Sequence, residues 1–147
     1  MNSILPMLIK PEPPWVVTCQ RGDALSSSFR AEEKNENFLL IEMCGEKIKS
    51  LSEFYELVSY LFSFPDYFGE NLNALIDCME DEKLETEKPL LIAISSAECM
   101  LIEDSTNTMH GVISTFNSIG ERWSSNTGDG TEWGSPPRGF LVVFEYS

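Results

Sequence analysis

Three nearly uninterrupted apolar runs, Phe38–Cys44 (F-L-L-I-E-M-C), Leu90–Ser95 (L-L-I-A-I-S) and Phe140–Tyr146 (F-L-V-V-F-E-Y), constrain this chain more than any other feature. A strand with one wet face alternates apolar and polar residues, whereas a strand covered on both faces need not. The runs therefore predict strands buried on both faces, and the segments between them must supply cover. In Ser50–Phe62 the residues Leu51, Phe54, Leu57, Val58 and Leu61 recur at helical spacing, and Ser50 with Glu53 forms a capping box at the start. Leu72, Leu75, Ile76 and Met79 repeat the pattern over Leu72–Glu80, with Asn71 placed as the N-cap. A third helix is predicted over Asn107–Trp123, where Met109, Val112, Ile113, Phe116 and Ile119 face one way. Strands separated by helices imply right-handed crossovers, so the fold class is α/β with a small parallel sheet packed by helices.

A fourth run, Trp15–Cys19, and a short polar helix around Asp23–Glu33 read as an added edge element, because Pro13 and Pro14 confine that strand to a border. Length sets the domain count: 147 residues, 42% of them apolar, suit one domain. We expect residues 1–37 to be an N-terminal extension and residues 38–147 the core. Lys10–Pro14 and Ser124–Pro137 read as irregular connections.

Charge narrows the function classes. Ten basic against 24 acidic residues give a formal charge of −14, which repels phosphate backbones and anionic membrane surfaces and attracts basic proteins. No run approaches the ~18 apolar residues of a membrane span, and the first fifteen residues do not read as an export signal, so a soluble cytoplasmic protein is expected. Cys19, Cys44, Cys78 and Cys99 are 21 to 34 positions apart with no C-x-x-C pair, which favours reduced thiols over a disulfide framework or a zinc site.

Catalytic chemistry finds little support. His110 is the only imidazole, and it reads as a helix-edge residue rather than a proton carrier. The glycines Gly128, Gly130 and Gly134 lack the flanking strand and Lys-Ser/Thr of a phosphate loop and read as a flexible connection. Acids are abundant, but no segment places two of them in an apolar pocket that would split their pKa values. No enzyme activity, cofactor or metal is expected.

The informative segment is P-D-Y-F-G-E-N-L-N-A-L-I-D-C-M, residues 65–79. Pro65-Asp66 opens a turn, Gly69 can take positive φ, and Asn71 caps the next helix, so Tyr67 and Phe68 sit on a short stiff loop. With Leu72, Leu75 and Met79 committed to the core, the row Asn73, Asp77, Asp81 is left on the outer face, flanked by Ile76 and Glu80. Aromatics and carboxylates on a rigid loop and helix are suited to docking in a basic cleft, although an ordinary solvated helix face has the same composition.

This segment resembles the signature of the barstar family, Y-Y/F-G-E-N-x-D/N-A-L-x-D-C-L. The upstream F-L-L-I-E-M-C-G-E-K-I-K-S-L-S-E-F is similar to that family's first strand and helix. The likeness continues through K-P-L-L-I-A-I to the last strand and covers about 110 residues, while the first 37 positions and E-W-G-S-P-P-R-G-F (Glu132–Phe140) resemble a longer branch with an added N-terminal strand near a Trp. The resemblance implies an intracellular immunity protein that plugs the active site of a secreted ribonuclease in a 1:1 complex and protects the producing cell. On that reading Tyr67, Phe68, Gly69, Asn73, Ile76 and Asp77 bind the partner, and Asp77 supplies the central carboxylate that mimics a substrate phosphate; Glu80 and Asp81 join the expected contact surface through their place on the same outer face. This chain departs from the family at Asn73, neutral where barstar is acidic, at Ile76, where barstar has Trp, and at Ser118 and Arg122, where barstar has carboxylates. Specificity depends on matching individual charges, so a ribonuclease other than barnase, or another basic toxin, is the expected partner. The alternative is a barstar-like interaction module with no nuclease target.

Overall fold

In the computed structural model, which describes residues 4–66, 68–125 and 136–147, four strands form one all-parallel sheet. Along the chain run α1 (Ile4–Ile9), β1 (Val16–Gln20), α2 (Ala24–Ala31), β2 (Leu39–Cys44), α3 (Leu51–Leu61), α4 (Leu72–Glu85), β3 (Leu90–Ser95), α5 (Thr106–Ser124) and β4 (Phe140–Tyr146). The spatial order is β1-β4-β3-β2, with Leu39 opposite Leu90, Leu90 opposite Phe140, and Val16 opposite Val142. Among the described residues no helix is long and apolar enough to cross a membrane.

Strand periodicity sorts the core into two layers. Met43, Leu90, Ile92, Ile94, Phe140, Val142 and Phe144 point to one face and pack against Phe54 and Val58 of α3, Leu75 and Met79 of α4, and Val112, Phe116, Ile119 and Trp123 of α5. Leu91, Ala93, Leu141 and Val143 point to the other, where Ile4 and Leu8 of α1 and Phe29 of α2 cover them. The N-terminal segment thus forms the second layer of the sandwich. Each large side chain fully buried here stabilises the fold by roughly 1.5–3 kcal/mol relative to exposure.

The expectation that all three apolar runs are buried on both faces holds for β3 and β4 and fails for β2. Only Met43 of β2 is buried, and Glu42 is exposed, because β2 is a border strand. Strand β1 takes the other border, as Pro13 and Pro14 suggested. It is held there by Trp15, whose indole N–H donates to Ser124 Oγ at 2.8 Å and whose ring lies where a side chain on Gly120 of α5 would stand, 2.3 Å from that position. A glycine inside a helix costs about 1 kcal/mol relative to Ala, and at Gly120 that cost admits the indole.

A buried polar link fastens α2 to the sheet. Glu145 on β4 accepts from Ser26 Oγ at 2.5 Å and from the Arg30 guanidinium, and both acceptor and hydroxyl are almost wholly buried. Asp23 caps α2 by accepting from the Ser26 amide at 2.9 Å.

All four cysteines are unpaired, Cys19 and Cys78 buried, Cys44 and Cys99 partly exposed. Burial, helped by Asp23 and Glu145, pushes the Cys19 thiol up to about 11. Burial also raises Cys78, with Asp81 and Asp77 adding to it. Titration with a chromogenic disulfide at pH 8 should therefore show Cys44 and Cys99 reacting first and Cys19 and Cys78 only as the fold opens. Four thiols should appear in denatured, unreduced protein; two or none would contradict the reduced state. Between pH 9 and 11 the unfolded chain ionises Cys19 before the folded one does, so stability should fall as pH rises through that window.

Candidate functional site

The site is built where α3 hands the chain to α4. Helix α3 starts on the Ser50 cap, whose Oγ accepts from the Glu53 amide at 3.2 Å. It ends in a Schellman turn: Ser63 takes φ +52°, the Phe64 amide donates to Ser59 O at 2.9 Å, and the Ser63 amide to Tyr60 O at 3.3 Å. This turn stacks Phe62 on Phe64, with centroids 5.6 Å apart and planes 14° apart. Phe64 then meets Phe68 at 5.1 Å, and Phe68 meets Tyr55 edge-on at 6.0 Å. The chain of rings fixes the loop in place.

Phe68 was expected to face a partner, but the structure buries it to 9% exposure, where its ring anchors the loop to α3. Its neighbour Tyr67 lies outside the described residues. The positive φ that Gly69 could take falls on Glu70 instead, at +45°. At Gly69 space is tight, because a Cβ there would meet Asn71 Nδ2 at 3.0 Å and the amide would have to give way by a few tenths of an ångström. That amide donates to Gly69 O at 3.1 Å while Asn71 Oδ1 accepts from the Ala74 amide at 2.8 Å, so one side chain caps α4 and clamps the loop.

Helix α4 runs five residues beyond the predicted end at Glu80. Leu75, Cys78 and Met79 are buried, Ile76 is half-buried, and Asn73, Asp77 and Asp81 stand exposed along one side. Among the described residues neither Asp77 nor Asp81 has a hydrogen-bonded or ion-paired side-chain partner. Glu80 differs: its Oε1 pairs with Arg122 Nη1 of α5 at 2.6 Å. Arg122 thus contacts the site across the helix pair, and so does Ser118, which with Ile76, Glu121, Arg122 and Ser125 lines a depression of about 330 Å³.

Sequence reasoning missed the fastening of α4 to α5. Lys83 is 1% exposed, and its amine donates to Arg122 O at 3.0 Å and Ser125 O at 2.8 Å, closing the C-terminus of α5. Burial lowers its pKa, with Arg138 adding to the effect and Glu80 opposing it. A signal existed, since Leu75, Met79 and Lys83 follow one another at four-residue intervals on the buried stripe. Trp123, fully buried, adds an indole N–H donated to Met79 O at 3.0 Å.

Behind Asp81, a cleft of about 240 Å³ is lined by Phe62, Phe64, Cys78, Glu82 and Glu85, and burial together with Glu85 raises the Glu82 carboxyl. His110 is exposed, and among the described residues no three His, Cys, Asp or Glu side chains converge as a metal site. The glycine loop at Gly128–Gly134 and the first four residues of the Glu132–Phe140 stretch lie outside the described residues. Compared with known families, residues 38–145 match the family model described as barstar (barnase inhibitor), a span that contains the whole α3–loop–α4 unit and α5.

Proposed function

The chain belongs to the barstar family of barnase inhibitors, and from that premise we propose that it is an immunity protein: it blocks the active site of a basic ribonuclease or related toxin and thereby protects the cytoplasm of the cell that makes it. It acts by occupying a cleft and catalyses nothing itself. The observation that carries this reading is the pair of exposed carboxylates, Asp77 and Asp81, on a helix whose entry loop is held by ring contacts and an Asn71 clamp. A rigid acidic face loses little conformational entropy on docking, and Arg or Lys groups of a nuclease cleft are its natural complement. Gly69 gives the loop its close approach, Asn73 and Ile76 extend the contact to either side of Asp77, Glu80 stands at the edge, and Tyr67, the residue before Phe68 in the sequence, adds aromatic area.

Two experiments test the reading. Co-expression with a small basic secreted protein encoded beside this gene should yield a 1:1 complex that copurifies and lacks nuclease activity. A stable complex with a protein that is no nuclease would favour the interaction-module alternative. Association of a −14 chain with a basic enzyme should also be steered, so the on-rate should fall at least about tenfold from low to physiological salt while the off-rate changes less. An on-rate indifferent to salt would count against an electrostatic plug.

A further inference from the structure

The face described above is not uniformly acidic, and its division has a consequence for partner choice. Around the α4–α5 depression two cations, Arg122 at its rim and Lys83 beneath Ser125, stand against two carboxylates, Glu80 and Glu121. Along α4, Asp77 and Asp81 have no cation of their own among the described residues. Arg122 is the pivot. Its pairing at 2.6 Å withdraws Glu80 from any incoming cation, and its side chain, 48% exposed, lines the depression beside Ile76 and Ser118. Like charges brought together across a docking surface are a strong means of rejecting wrong partners.

We propose that Arg122 is a specificity-determining residue: it confines the partner's cations to the Asp77–Asp81 row and reserves the depression over Ile76 for an uncharged side chain. This rests on the inhibitory reading of the same face. A partner that fits carries its arginines or lysines in one line opposite α4 and an apolar or neutral polar group opposite α5. A nuclease that presents cations to both helices is turned away.

The test uses the full chain and an octa-arginine peptide as the cationic probe, followed by amide chemical shifts at low salt. In the wild type the peptide should shift the amides around Asp77 and Asp81 and leave that of Ser118 on α5 unmoved. Arg122→Glu should extend the footprint onto Ser118 and tighten binding about fivefold, with Arg122→Gln intermediate. Unchanged shifts in the β3 and β4 amides before peptide is added will show that both variants are folded. The inference is overturned if the wild-type footprint already covers Ser118 as strongly as Asp77, or if neither variant changes it. A peptide that bypasses Asp77 and Asp81 in every variant speaks instead against the proposed inhibitory face, while the response of Ser118 still decides the role of Arg122.

Discussion

Replacing Asp77 with Ala should weaken binding to the nuclease proposed as partner by more than about 2 kcal/mol, roughly a thirtyfold rise in Kd. The side chain is exposed on α4 and has no partner among the described residues, so no internal ion pair must be broken before it meets a cation. Ile76 beside it supplies apolar surface that excludes water and strengthens the pairing once the complex closes. Glu80→Ala should cost less, because Glu80 is already engaged by Arg122. Glu12→Ala should cost almost nothing, since Glu12 lies exposed among the N-terminal prolines. Titration calorimetry of the three variants, each first shown to be folded, checks the ranking. Wild-type affinity in Asp77→Ala would move recognition elsewhere, to the acids of Glu80–Glu87.

The second large effect concerns stability. Arg30→Met should lower the free energy of unfolding by about 2–3 kcal/mol, measured by urea with an unchanged m-value. Glu145 is 2% exposed, and without the guanidinium its buried charge keeps only the Ser26 hydroxyl as a donor. Removing one partner of a buried pair costs more than the pair itself contributes, because the remaining charge stays desolvated. The range sits below that for a fully buried pair because the Arg30 side chain is 39% exposed. Adding Glu145→Gln to Arg30→Met should recover part of the loss, the signature of a coupled pair. Affinity for the proposed nuclease partner should not change, since α2 lies across the sheet from α4. A loss below about 0.5 kcal/mol would mean that the pair does not fasten the N-terminal layer.

What could be read in advance followed from local rules. Apolar runs marked β3 and β4, and the helices announced themselves through caps and spacing, as Ser50 and Asn71 did at α3 and α4. The row Asn73, Asp77, Asp81 was legible because helical geometry sends every fourth residue to the same side once Leu75 and Met79 claim the core. Propensity is silent on α1, six residues long and stabilised by burying Ile4 and Leu8 on the sheet. Helix α4 outlasts its expected end because Lys83 is anchored by carbonyls of a helix that begins more than twenty residues later.

The sequence by itself determined the parallel α/β class, the border position of β1 and the outward row of acids, since each depends on the periodicity and stereochemistry of neighbouring residues. Tertiary structure alone decided that Phe68 turns inward, that Glu70 rather than Gly69 takes the left-handed turn, that residues 4–31 form a full second layer, and that Arg122 reaches Glu80. Those outcomes depend on which distant surfaces meet. Glu80 and Arg122 are 42 positions apart, and Ser26 and Glu145 are 119 apart, so no local pattern brings either pair together. Only the packing of α4 on α5 and of α2 on the sheet sets the distance between their charges, and with it how much of the acidic face remains for a partner.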